Sequence, residues 1–254
     1  MKCNPTVKDV YSFIDSFAPF SAQCEWDNSG IIVGDTNKEI KKIAVVLDIT
    51  SQAIEYAVKE GVDLIVSHHP VIFRAVKSFT DSNPAFLLAK NGISAICAHT
   101  SLDTAKGGVN DALADALGFS GVTPLSENGE TAMIRIAEIS ETTGDKLAEL
   151  CCEKLSTCVR LADCGKKIKK VALCGGAGAD FINEVADADC DAFITGDVSH
   201  HEFLDAKALG LTLIAAGHFE TENPVVAVLA KKIGEEFDVE TIIIPQSSPV
   251  SYHI

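Results

Sequence analysis

Apolar and polar positions follow two rhythms along this chain. In "TVKDVYSFIDSFAP", Val7, Val10, Phe13 and Phe17 fall near helical spacing behind Thr6, a side chain suited to cap a helix. "CEWDNSGIIVGD" then reads as a turn-rich loop entering a short apolar strand. After it the rhythm alternates. "KKIAVVLDI" (41–49) is a buried strand, "TSQAIEYAVKEGV" a helix starting at Thr50 or Ser51, and "DLIVSHH" a strand. "NPAFLLAKNG" follows as a helix and "ISAICAH" as a strand. That order predicts right-handed crossovers in a sheet with parallel neighbours.

The second half repeats this grammar. "KKVALCGGAGADFINEVADADCDAFITGD" (169–197) aligns with 41–69 at a constant offset of 128, matching Lys41-Lys42 to Lys169-Lys170 and Asp63 to Asp191. "LTLIAAGHFETE" resembles "ISAICAHTSLD" at an offset of 119, so that His99 faces His218 and Asp103 faces Glu222. Between the halves, 131–140 reads as a strand, 142–155 as a helix and 157–163 as a strand. A helix from Pro224 to Phe237 and the strand "VETIIIP" close the chain. The expected fold is α/β, with two related lobes and mixed, largely parallel sheets. Residues 1–125 and 224–254 form the first lobe, with the final segment crossing back onto it, and 126–223 form the second.

Composition narrows the function. In 254 residues, 36 acidic against 21 basic side chains leave a formal charge of −15. Such a surface repels phosphate backbones and anionic membranes, which argues against direct nucleic-acid binding over a broad face. A small anionic substrate is compatible only if a bound cation reverses the sign locally. The amino terminus lacks a long apolar core like that of a secretory signal, and no apolar run reaches membrane-spanning length, which predicts a cytoplasmic protein with no membrane association. Nine scattered cysteines without a C-x-x-C pair are expected to be free thiols rather than a disulfide framework or a thiolate zinc site.

In open sheets of this kind, ligands gather at the carboxyl ends of parallel strands. Four such ends carry chemistry: His68-His69, His99-x-x-x-Asp103, Asp197 with His200-His201, and His218-x-x-x-Glu222. Six of the seven histidines lie there, and only His253 lies elsewhere. Imidazole with carboxylate suits divalent zinc, iron, manganese or nickel. Three histidines with one aspartate and one glutamate exceed a single open tetrahedral site and suit two ions bridged by a carboxylate and a water. Structural readings stand beside each pair. His68-His69 could be a surface pair, and His99 and Asp103 could share a loop hydrogen bond. Asp103 could cap the helix near "GGVNDALADALG". His218 to Glu222 could lead into a helix capped by Asn223 with Pro224 first, and His200-His201 could be solvated on a helix.

"WDNSGIIVGD", "SHHPVIF", "AHTSLDTAKGGVNDALA", "ITGDVSHHEFLDAKALG" and "AAGHFETE", in this order over nearly the whole chain, resemble the Nif three-like dinuclear metal-centre family, whose members are often labelled GTP cyclohydrolase I type 2 homologues. The resemblance implies two intertwined α/β lobes with a dinuclear centre in the cleft between them, and a homohexamer. It assigns His68, His69, Asp103, His218 and Glu222 as metal ligands, with Glu222 bridging the ions. His99 becomes a further ligand or proton-transfer group, and Asp197 and His201 become supporting or substrate-side groups. Where family members commonly carry an aspartate, this chain has Ala216, which could loosen what orients the ligands.

Such a centre implies a metal-dependent hydrolase in which a hydroxide bridging two ions attacks a nucleotide-like substrate, as GTP cyclohydrolase or phosphoesterase chemistry requires, with His99 or His201 moving protons. No G-x-x-x-x-G-K-[ST] loop is present. "LCGGAG" (173–178) could offer backbone N–H groups to an anion or be only a tight turn. No arginine lies in the metal motifs, the nearest being Arg74. A metal-binding or regulatory assembly protein without turnover is the alternative.

Overall fold

The computed structural model describes residues 4–127 and 129–251, so Cys3 and His253 lie outside the described residues. The helices, in chain order, are α1 (Val7–Phe17), α2 (Ser51–Glu60), α3 (Pro84–Lys90), α4 (Thr100–Thr104), α5 (Val109–Leu117), α6 (Gly144–Leu155), α7 (Ile182–Asp187), α8 (His200–Leu209), α9 (His218–Glu222) and α10 (Pro224–Glu236). The strands are β1 (Gly30–Val33), β2 (Lys42–Val46), β3 (Leu64–Ser67), β4 (Ser94–Cys97), β5 (Thr123–Pro124) and β6 (Arg135–Thr142). They continue with β7 (Arg160–Ala162), β8 (Ile168–Cys174), β9 (Ala192–Thr195), β10 (Thr212–Ala215) and β11 (Glu240–Ile243).

Local chemistry sets the helix starts. Thr6 and Asp9 form a reciprocal box at α1, the Thr6 N–H donating to Asp9 Oδ2 at 2.7 Å and the Asp9 N–H to Thr6 Oγ1 at 3.3 Å. Thr50 caps α2, Asn83 caps α3 ahead of Pro84, and Thr143 caps α6. The strand expected at 131–140 starts later, at Arg135, because Glu130–Met133 winds into a 3₁₀ turn.

The chain divides into two compact units. Unit 1 holds the described residues up to Gly108 and Val226–Gln246; unit 2 holds those of Val109–Val225 and from Ser247 onward. Helix α5 therefore belongs to unit 2, although the hydrophobic pattern groups it with the first lobe. Its Leu113, Ala114 and Leu117 are buried with Leu147, Val171 and Leu173 of unit 2, and its Asp111 pairs with the buried guanidinium of Arg135. The alternation of segments between units follows from the chain's return through α10 and β11, where β11 pairs in parallel with β2.

Each unit is built on a sheet. In unit 1 the order is β1-β4-β3-β2-β11, parallel except for β1, which runs antiparallel to β4. In unit 2 it is β5-β6-β8-β9-β10-β7, with β8, β9 and β10 parallel and the flanking strands antiparallel. The repeat is visible as β2-α2-β3-α3-β4 in one unit and β8-α7-β9-α8-β10 in the other. All residues of β3, β4, β9 and β10 are buried, as expected of strands covered on both faces. Among the described residues no helix is long and apolar enough to cross a membrane, and no disulfide joins two of the described cysteines.

Candidate metal-binding donor sets

Because β3 is buried along its whole length, polar side chains emerge only where it ends. Strand pairing carries past Ser67, with the His68 N–H donating to Val46 O at 3.3 Å and the His69 N–H to Leu47 O at 3.0 Å. The buried Ser67 hydroxyl donates to His69 O at 2.8 Å and holds the bend. Each ring is then fixed through one nitrogen. His68 Nδ1 lies 2.9 Å from Ala98 O, and a carbonyl only accepts, so Nδ1 carries a proton and, in the neutral ring, Nε2 holds the lone pair. His69 Nδ1 meets Asp48 Oδ1 at 2.8 Å, and His99 Nδ1 meets Asp27 Oδ1 at 2.8 Å. Tethering one ring nitrogen to an acceptor is the arrangement that orients a metal-binding imidazole.

The three imidazoles converge: each offers one nitrogen, and the three nitrogens lie within 4.8 Å of one another. Asp103 of α4 brings a carboxylate oxygen to 3.7 Å from His68 Nε2. Asp103 lies inside α4 rather than at the start of α5, and His99 bonds Asp27 instead of closing a local loop.

Asp27 is itself strongly held. Its side chain is fully buried, which alone would raise its pKa. Hydrogen bonds from His99, from the Thr100 hydroxyl at 2.6 Å and from the Asn28 N–H at 2.6 Å outweigh burial and hold it well below the usual carboxylate range. Ser29 Oγ adds a fourth donor at 2.9 Å. The same loop is bound to the one after β3, Asn28 Nδ2 donating to Ile72 O at 2.6 Å.

Unit 2 uses the same strand ends differently. His218 opens α9 with its Nδ1 2.7 Å from Asp197 Oδ2, and its Nε2 lies 3.1 Å from Glu222 Oε2, one helical turn on. The Glu222 side chain is only 6% exposed. Room for it comes from Gly176, at φ +64°, where a Cβ would stand 2.1 Å from Glu222 Oε1 and 3.3 Å from His218 Nε2. Gly196 is similarly confined, since a Cβ there would meet Gly176 O at 2.6 Å and His218 Cα at 2.8 Å.

This geometry reassigns "LCGGAG". Its Gly175 N–H donates to Asn110 Oδ1 at 2.7 Å, its Gly176 N–H to Thr221 Oγ1 at 3.0 Å and its Gly178 N–H to Thr195 Oγ1 at 3.0 Å. Donors already engaged do not cradle a phosphate. Gly175 and Gly176 serve as the wall that admits Glu222, while Gly178 makes room for Cys174 and Thr195.

Of the sequence candidates, His68, His69, His99 and Asp103 come together in unit 1, and His218 and Glu222 come together with Asp197 in unit 2. His201 stands apart from these groupings, exposed on the first turn of α8 beside His200. Ala216 is fully buried in the apolar core of unit 2, its N–H donating to Thr195 O at 2.8 Å, while Asp197 orients His218. Three residues were not singled out from the sequence: Asp27 and Asp48, which hold imidazoles, and Arg160. Arg160 donates to Val198 O at 2.8 Å and lies over the Phe203 ring at 5.1 Å. It lines two cavities of about 260 and 280 Å³, both of which also touch Asp197.

The chain is similar to known proteins over nearly its whole length. The family Duf34/NIF3 (NGG1p interacting factor 3) matches residues 5–249. A "GTP cyclohydrolase 1 type 2 homolog" of Clostridium acetobutylicum is 34% identical over 240 residues, covering 89% of each chain. Among solved structures, reduced HcgD from Methanocaldococcus jannaschii is 31% identical with a TM-score of 0.83, covering 94% of this chain and 98% of its own. The Staphylococcus aureus hypothetical protein SA1388 has a TM-score of 0.90 at 24% identity, covering 98% of this chain and 100% of its own; it bears on the fold alone.

Proposed function

The chain belongs to the Duf34/NIF3 family, and from that premise we propose that it is a metal-dependent hydrolase holding two divalent cations and acting on a nucleotide-like substrate. One observation carries the reading: four imidazoles have Nδ1 set against an acceptor, which leaves Nε2 as the donor nitrogen. The ligands are His68, His69 and Asp103 in unit 1 and His218 and Glu222 in unit 2. Such mixed imidazole and carboxylate donors fit zinc, iron, manganese or nickel. When bound, the cations supply Lewis acidity and a water activated near neutral pH.

The protein's own groups do the rest. Asp27 stays ionised, so a proton taken up by His99 at Nε2 is stabilised through the Nδ1–carboxylate hydrogen bond. His201, exposed on α8, is a second proton-transfer candidate on the substrate side. Arg160, rather than the backbone of "LCGGAG", supplies the protein's cation for an anionic substrate group. A homohexamer completes the reading on family resemblance, and sedimentation of the purified chain tests it.

The functional test is turnover by the purified chain, loaded with defined metals, against nucleotides and phosphoesters. We expect hydrolysis of a nucleotide, reduced about 100-fold or more in His99→Ala with metal content retained. If wild type and His68→Ala are equally inactive across the panel, the enzyme reading fails and metal binding without turnover takes its place.

A further inference from the structure

We propose that Trp26 and Phe73 form a stacking platform for a planar heteroaromatic ring beside the unit 1 imidazoles. Trp26 is the chain's single tryptophan and is 56% exposed; Phe73 is 45% exposed. Their ring centroids are 5.9 Å apart, and each lies 6.0 Å from the His99 ring. An isolated exposed ring is ordinary, but two large rings held at the edge of a donor cluster form a patch with a purpose.

The platform is preorganised. Trp26 precedes Asp27, which is fixed by its buried hydrogen bonds, and Phe73 follows Ile72, whose carbonyl accepts from Asn28. Little ordering therefore remains to oppose binding. The surroundings select the ligand. A partner protein seated here would also cover the imidazoles and the half-exposed Asp48 carboxylate, which are costly to desolvate. A small planar ring stacks on the aromatic faces while its polar edges stay hydrated. Every nucleobase has such a face, and stacking does not depend on charge, which suits a chain of −15. The inference rests on the hydrolase reading only in placing the bound ring beside His99; the binding step does not require turnover.

Because Trp26 is the sole tryptophan, its fluorescence reports the site directly. Guanosine and ribose 5-phosphate are titrated into the full chain, both metal-loaded and chelator-treated, alongside Phe73→Ala and His69→Ala. We expect saturable quenching by guanosine but not by ribose 5-phosphate. Affinity should fall about tenfold in Phe73→Ala, whose metal content and circular dichroism match wild type. Unchanged affinity in Phe73→Ala, no saturation at millimolar guanosine, or an equal response to ribose 5-phosphate overturns the platform. So does protection of Trp26 from acrylamide that grows with protein concentration, which would mean that a second copy covers it. Guanosine binding that survives in His69→Ala supports the platform. Wild-type metal content in that variant counts against the hydrolase reading alone.

Discussion

Units 1 and 2 share a frame and part at the strand ends. In unit 1 the Asp63 carboxylate accepts the Lys41 and Lys42 N–H groups at 2.9 and 3.2 Å; in unit 2 Asp191 accepts those of Lys169 and Lys170 at 2.8 and 2.9 Å. These bonds join the starts of adjacent parallel strands, and the backbone needs them in both places. At the other end, Asp48, His68 and His69 align with Gly176, Gly196 and Asp197. In unit 1 an aspartate after β2 orients an imidazole after β3. In unit 2 the aspartate follows β9 and orients His218 after β10, while glycine after β8 makes room for a buried glutamate. One frame thus presents three imidazoles and a carboxylate in one unit, and one imidazole with a carboxylate in the other.

The largest break in this comparison should come from Gly196→Ala. A methyl group there meets backbone on two sides, and we expect a loss of about 3 kcal/mol in denaturant unfolding. At the aligned position of unit 1 a whole imidazole is accommodated. An alanine variant as stable as wild type would show that unit 2 tolerates a side chain where unit 1 has one.

Asp27→Asn should cost about 2 kcal/mol near neutral pH, because several hydrogen bonds to a buried carboxylate are weakened. The folded-state pKa of Asp27 lies below its unfolded value, so its contribution is full above about pH 4 and is lost as pH falls through the depressed value. The variant should therefore show a flatter loss of stability in acid. An unchanged acid limb would remove Asp27 as the anchor of His99.

Asp63→Ala and Asp191→Ala should each cost about 1 kcal/mol, with Asp63 slightly more sensitive to salt because Lys38 lies 3.2 Å from it. Thermal unfolding of the pair sharpens the claim of a repeated frame. A cost in one unit only would break it.

Much of this frame was legible before the fold was seen, because buried parallel strands and capped helices leave local marks: Thr6, Thr50 and the runs ending in His69 and His99. The donor residues were legible as polar punctuation after those runs. What orients them was not. Asp27 lies 72 residues from His99 and Asp48 lies 21 from His69, and neither pairing has a local mark. The glycines of "LCGGAG" were visible, but their N–H partners Asn110, Thr221 and Thr195 come from distant elements. Arg160 carries no such mark, since it sits on β7, outside every metal motif. Helix α5 looks like part of the first lobe until its apolar face is seen packed against unit 2.

Nδ1-tethered imidazoles, with their carboxylate neighbours, are proposed to hold divalent cations. Metal content per chain, measured by elemental analysis after loading and dialysis, tests this most directly. About two ions per chain are expected for wild type, with fewer in both His69→Ala and Glu222→Gln while their circular dichroism stays native. Wild-type metal content in both folded variants would contradict it.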